Sequence, residues 1–167
     1  ITVLGTNPLK MDTDENGIID GNEDADFDGL SNAEELNFNN TDPKAPDTDQ
    51  DGLIDGDEVH ILHTDPLSRD SDDDGISDGD EDSDEDGLSD ANEINVHSTN
   101  PLEADIDEDR LTDRQEVALN TNPFLADTDG DKLDDWAETN ITETDPLKQD
   151  TDDNGISDGD EDADSDG

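Results

Sequence analysis

Asp47-Thr48-Asp49-Gln50-Asp51-Gly52-Leu53-Ile54-Asp55-Gly56-Asp57-Glu58, followed after five residues by Thr64-Asp65-Pro66-Leu67, is one copy of the unit from which this chain is built. The twelve-residue part reads Asp-x-Asp-x-[Asp/Asn]-x-[Ile/Leu]-x-[Asp/Asn]-x-x-Glu. It occurs complete eight times, beginning at Asp12, Asp24, Asp47, Asp70, Asp82, Asp105, Asp127 and Asp150, and a ninth copy starting at Asp162 is truncated. Oxygen donors at positions 1, 3, 5, 9 and 12, with the backbone carbonyl of position 7, form a ligand set for one hard cation, and the glutamate at 12 can give two oxygens. Six of the eight loops have glycine at position 6, where the sharp turn requires a positive φ: Gly17, Gly29, Gly52, Gly75, Gly87 and Gly155.

The candidate ligands follow position by position. The first loop offers Asp12, Asp14, Asn16, Asp20 and Glu23 with the Ile18 carbonyl, and the second offers Asp24, Asp26, Asp28, Asn32 and Glu35 with that of Leu30. Next come Asp47, Asp49, Asp51, Asp55 and Glu58 with Leu53, then Asp70, Asp72, Asp74, Asp78 and Glu81 with Ile76. The fifth and sixth sets are Asp82, Asp84, Asp86, Asp90 and Glu93 with Leu88, and Asp105, Asp107, Asp109, Asp113 and Glu116 with Leu111. Asp127, Asp129, Asp131, Asp135 and Glu138 with Leu133, and Asp150, Asp152, Asn154, Asp158 and Glu161 with Ile156, complete the eight, while the truncated copy contributes Asp162, Asp164 and Asp166. About eight to nine bound Ca2+ ions are expected from these sets.

Composition alone points elsewhere. The chain has 167 residues, a formal charge of −48, 25% hydrophobic and 2% aromatic residues. A chain of that kind ordinarily stays disordered, because it cannot bury enough apolar surface to offset its ordering entropy. The phase of the charges overturns that reading: 40 of the 55 acidic residues fall at ligand positions. A solvated acidic tail has no reason for such register. Cysteine is absent, so metal is the remaining staple for so small an apolar inventory.

A second landmark, Thr-[Asp/Asn]-Pro, recurs at Thr6, Thr41, Thr64, Thr99, Thr121 and Thr144, each six residues before the next loop. Proline ends any helix that followed the loop and aims the chain at its successor. Successive threonines lie 35, 23, 35, 22 and 23 residues apart, because some units hold two abutting loops: Glu23 precedes Asp24 directly, as Glu81 precedes Asp82 and Glu161 precedes Asp162. The expected divisions are 1–11, the end of a preceding repeat; 12–46, a tandem two-loop repeat; 47–69, a single-loop repeat; 70–104, a second tandem repeat; 105–126 and 127–149, single-loop repeats; and 150–167, the truncated start of another tandem repeat. Both ends fall inside repeats, and further copies are expected on each side. Between loop and threonine sit apolar residues two apart, Leu36/Phe38, Val59/Ile61, Ile94/Val96 and Val117/Leu119, with Thr139/Ile141 in the same places. That spacing suits either a short strand or one helical turn. The expected fold is therefore mostly irregular: an elongated, calcium-stabilised tandem-repeat array with short helical turns or short strands and no large hydrophobic core.

The loop taken alone resembles that of an EF-hand, yet abutting loops leave no room for flanking helices. Dockerin modules resemble single units but carry two of them, each with a full helix. The Asp47–Glu58 stretch with Thr64-Asp65-Pro66-Leu67, repeated throughout, is most similar to thrombospondin type 3 repeats of the cysteine-free kind found in bacterial and archaeal surface proteins. The resemblance implies an extracellular, calcium-saturated chain wound around a string of ions. Disulfides of the animal members do not carry over.

Other signals are weaker. His60, His63 and His97 lack a completing ligand and read as linker histidines. Trp136, at position 10 of its loop, reads as a packing residue against the neighbouring unit. Asn39-Asn40-Thr41 and Asn140-Ile141-Thr142 fit the glycosylation acceptor pattern. Arg110 and Lys132 replace glycine at position 6, so their loops are expected to fill last. Catalysis is not expected, since the carboxylates are committed to metal, and the charge sign excludes nucleic acid as an electrostatic partner. No apolar run approaches the roughly 18 residues of a membrane span.

The functional expectation is a non-enzymatic calcium-binding spacer, stalk or filament segment of an extracellular microbial surface protein, with flanking copies of the repeat and possible self-assembly as partners. The alternative is a calcium-dependent recognition module, adhesin-like or dockerin-like. From −48, eight divalent ions remove sixteen charges and leave −32, so binding to cationic surfaces is physically allowed.

Overall fold

The computed structural model describes residues 4–161, and Asp162, Asp164 and Asp166 lie outside them. Among the described residues the chain is mostly turn and irregular backbone, with short helical turns and no strand. It divides into two units, Ile1–Glu81 and Asp82–Gly167, parting where two tandem loops abut.

Every helical turn begins at position 9 of a loop. These are α1 (Asn32–Glu34), α2 (Asp55–Asp57), α3 (Asp90–Asn92), α4 (Asp113–Leu119) and α5 (Asp135–Ala137). All but α4 run on into one wide π-helical turn: Glu35–Asn39, Glu58–Leu62, Glu93–His97 and Glu138–Thr142. Each turn stops at a non-glycine residue in the left-handed region, Asn40, His63, Ser98, Asn120 or Glu143. The threonine of Thr-x-Pro follows immediately. The residues spaced by two are therefore helical, and the strand alternative falls away. Their backbone groups bond locally, as in the His63 N–H to Glu58 carbonyl bond of 2.6 Å.

Loops fall into two kinds. Those starting at Asp24, Asp47, Asp82, Asp105 and Asp127 lead into a helical turn, which swings the position-12 glutamate inward. Loops at Asp70 and Asp150 end in a single 3-10 turn, Asp78–Asp80 or Asp158–Asp160, and their Glu81 and Glu161 are extended because the next loop begins at once. Among the described residues, apolar burial follows this division in part: Leu30, Leu53 and Leu111 are buried and Leu88 and Leu133 half-buried, while Ile76 and Ile156, like Ile18 of the first loop, are exposed. The interior is otherwise charged, since Glu35, Glu58, Glu93, Glu116 and Glu138 are all 0% exposed. No helix among the described residues is long and apolar enough to cross a membrane.

Candidate metal centre

Seven of the eight loops show closure by their own backbone. The N–H of position 9 donates to the carbonyl just before position 1, as Asp55 does to Pro46 at 2.8 Å and Asp135 to Ala126 at 2.9 Å. Side chains then fold the loop inward. Asp47 accepts from the Gln50 N–H at 2.6 Å and the Gly52 N–H at 3.2 Å, Asp49 from Asp51 at 3.2 Å, and Asp51 from Leu53 at 2.8 Å. Short acidic side chains favour such turns because they satisfy backbone donors locally. The chain bends around its own carboxylates.

What these bonds leave over identifies the centre. Buried oxygens without any hydrogen-bond partner include Asp26 Oδ1 and Oδ2, Asp49 Oδ2, Asp84 Oδ2, Asp107 Oδ2 and Asp129 Oδ2, all at position 3. At position 12 they are both oxygens of Glu35 and Oε2 of Glu58, Glu93, Glu116 and Glu138. An unpaired buried carboxylate oxygen is costly, and the same two positions recur in five loops. Asp24, Asp26 and Asp28 bring one oxygen each within 4.8 Å of one another, as do Asp47, Asp49 and Asp51, and Asp70, Asp72 and Asp74.

The electrostatics agree. Desolvation, followed by the neighbouring loop carboxylates, pushes Glu58, Glu93, Glu116 and Glu138 up to about 8 and Glu35 to about 7. Asp28, Asp49, Asp107 and Asp113 are raised to about 6, again chiefly by burial. A cluster that holds protons this strongly is one that a divalent oxygen-seeking cation would discharge. The donor set is all oxygen, which fits calcium and gives no foothold to softer metals.

Position 9 stands apart within its loop. Asp55 Oδ1 accepts from the Thr48 N–H at 2.8 Å and Oδ2 from the Thr48 hydroxyl at 2.7 Å, and Asp20, Asp78, Asp90, Asp135 and Asp158 are held in the same way by the residue at position 2. Asn32 instead donates to the Asp20 carbonyl at 2.8 Å. Asn16 and Asn154, at position 5, turn their amide nitrogens toward Glu23 and Glu161, at 3.1 and 2.5 Å.

Two roles lie outside the ligand pattern of the loops. The threonine of Thr-x-Pro donates its hydroxyl to the position-12 glutamate: Thr64 to Glu58 at 3.2 Å, Thr99 to Glu93 at 3.2 Å, Thr121 to Glu116 at 3.4 Å and Thr144 to Glu138 at 3.1 Å. The residue after it donates its N–H to the position-2 hydroxyl, as Asp42 does to Thr48 at 3.1 Å and Asp65 to Ser71 at 2.8 Å. The recurrence of both hydroxyls at fixed distance from the loop was the available signal. Arg110 and Lys132 keep the positive φ of the glycines they replace, 91° and 92°, and reach forward to the next loop. The Arg110 guanidinium lies 4.5 Å from the centre of the Trp136 ring, and Lys132 pairs with Asp160. Trp136 thus packs against the neighbouring unit, as its position suggested.

The bacterial TSP3 repeat model matches residues 24–46, 47–68, 82–104, 105–126 and 127–149, more than half of the chain. The chain belongs to the bacterial TSP3 repeat family. No curated protein matches it. Among solved structures, the B domain of a biofilm associated protein is 43% identical over 28% of this chain and 11% of its own, with a TM-score of 0.27. The BSP domain of a biofilm associated protein is 44% identical over 27% of this chain and 8% of its own, also with a TM-score of 0.27. The matched parts are small fractions of those proteins.

Proposed function

We propose that this chain is a calcium-loaded, non-enzymatic spacer or stalk region of an extracellular microbial surface protein, whose rigidity is supplied by ions. The observation that carries the reading is the set of five position-12 glutamates, each fully buried with at least one oxygen lacking a partner. Residues at the positions already named would hold one Ca2+ per loop, the ion supplying the charge that the folded backbone lacks. Extracellular calcium modules bind at roughly 10⁻⁴ to 10⁻³ M, which suits constitutive filling outside cells. Ion binding then serves as folding free energy, and each unit leans on the next through shared contacts rather than an apolar core.

Small-angle scattering and circular dichroism of the chain through a chelator titration test this. The expected result is an expanded, weakly structured chain without calcium and a stiff one with it. Superimposable profiles in calcium and in chelator would remove the proposal. A calcium-dependent partner recovered with a saturable isotherm would instead favour the recognition reading.

A further inference from the structure

Of the chain's fourteen asparagines, Asn16 and Asn154 are the two followed by glycine, and both stand at position 5 of a loop, where the other six complete loops have aspartate. Both Asn-Gly pairs are exposed. An asparagine in that setting is a latent electrophile, because the glycine nitrogen after it has no Cβ beside it to hinder approach to the side-chain carbon. Nothing lies within 4 Å of where a Cβ would stand at Gly17 or Gly155.

The closed loop holds every atom that such an attack must move. The Gly17 N–H donates to Asp12 Oδ2 at 2.9 Å, the Ile18 N–H donates to Asn16 Oδ1 at 2.7 Å, and Asn16 Nδ2 donates to Asp14 Oδ2 and to Glu23 Oε1, both at 3.1 Å. The loop at Asp150 repeats this: Gly155 N–H to Asp150 Oδ2 at 2.8 Å, Ile156 N–H to Asn154 Oδ1 at 2.9 Å, and Asn154 Nδ2 to Glu161 Oε1 at 2.5 Å. The nucleophile is tied to one carboxylate, and the oxygen and nitrogen of the electrophile are tied elsewhere. Those carboxylates, Asp12, Asp14, Glu23, Asp150 and Glu161, are themselves loop ligands, so without an ion they repel one another and the loop opens. Opening frees both partners.

We propose that Asn16-Gly17 and Asn154-Gly155 are deamidation sites guarded by calcium, so that time spent without the ion is written irreversibly into the chain. This proposal rests on the calcium reading of the loops. In the opened loop the Gly17 nitrogen attacks Asn16 Cγ and closes a cyclic imide: an N–Cγ bond forms, the Cγ–Nδ2 bond breaks, and the proton lost by the glycine nitrogen leaves with Nδ2 as ammonia. Water then opens the imide at either carbonyl, giving aspartate or isoaspartate with no oxidation or reduction. Aspartate supplies the carboxylate that the other six loops have at position 5, which strengthens ion binding. It also replaces the amide donor facing Glu23 or Glu161 with a like charge, so the loop closes less readily without metal. Isoaspartate inserts a methylene into the backbone and moves the later ligands out of place. Asp28-Gly29, Asp51-Gly52, Asp74-Gly75 and Asp86-Gly87, at the same loop positions, already carry a carboxylate, which is a far poorer electrophile than an amide.

The test incubates the whole chain near neutral pH, at saturating free calcium or in excess chelator, and follows each asparagine by peptide mass spectrometry. Isoaspartyl methyltransferase labelling reads the isoaspartate product, and equilibrium dialysis of the same preparation reads calcium binding. In chelator, Asn16 and Asn154 are expected to convert ahead of the other twelve asparagines and about tenfold or more faster than in calcium, since a guarded site reacts only in its open fraction. Equal rates with and without the ion, or no conversion in either, in a chain that binds calcium, overturn the guarded sites while leaving the loop ions standing. A chain that binds no calcium overturns the loop reading, and the guard with it.

Discussion

The backbone N–H of Gly79 donates to Asp51 Oδ2 at 2.8 Å, across 28 residues of sequence. Position 5 of one loop thereby grips position 10 of the next. The same bond joins Arg114 to Asp86 at 2.8 Å, Trp136 to Asp109 at 3.1 Å and Gly159 to Asp131 at 2.7 Å. Each of these aspartates also turns its other oxygen to the position-7 N–H of its own loop, so one carboxylate sets both the loop and its neighbour. Any change at this contact is felt by two repeats.

Gly56→Ala is expected to be among the most disruptive small substitutions. A Cβ there would lie 1.9 Å from the Asp28 carbonyl oxygen, which is backbone and cannot step aside. Overpacking of this kind typically costs about 1–3 kcal/mol. Gly21→Ala, at the same loop position but only 3.5 Å from the Ala33 Cβ, should be close to neutral. Thermal unfolding of both variants in calcium checks the contrast.

The Thr-x-Pro hydroxyls should separate into two groups. Thr64→Val removes the donor to Glu58, and a hydrogen bond to a charged group contributes about 1.5–3 kcal/mol, so calcium affinity of that loop should fall by about tenfold or more. The Thr41 hydroxyl is buried without a partner, and Thr41→Val should be neutral or slightly stabilising. Isothermal calorimetry of each variant distinguishes the two outcomes.

Protons and calcium should compete between about pH 4.5 and 8. Glu58, Glu93, Glu116 and Glu138 rise from an ordinary 4.5 to about 8 in the folded, metal-free chain, so in that window the folded state holds more protons than the unfolded one. Stability of the metal-free fold therefore decreases as pH rises, while calcium affinity increases. Chelated samples followed by circular dichroism should show more structure at pH 5 than at pH 8, with the order reversed at limiting calcium.

Arg110→Gly is expected to change two terms in opposite directions. It relieves a side chain at positive φ, about 1 kcal/mol, and removes a cation over an aromatic face, about 0.5–1 kcal/mol at an accessible site. The loop's calcium affinity should thus change by less than about tenfold. Trp136, the chain's single tryptophan, should report the lost contact by a red-shifted emission in the calcium state.

The sequence by itself determined the repeat, its two lengths and the scarcity of apolar residues for a core, because ligand chemistry requires fixed residue types at fixed spacing and leaves a periodic trace. It did not decide between strand and helical turn for residues such as Leu36 and Phe38, since a spacing of two over so few residues fits both. Hydrogen bonding decided it: the position-12 carbonyl accepts from the first left-handed residue, as in the 2.7 Å bond from Asn40 to Glu35, and that closes one wide turn. Nor could spacing show which way Asp55 faces. A side chain with a ligand's chemistry at a ligand's position is the same in sequence whether it serves its own loop or the one before, and only the packing of successive loops, fixed by contacts such as Gly79 on Asp51, brings Asp55 beside Glu35.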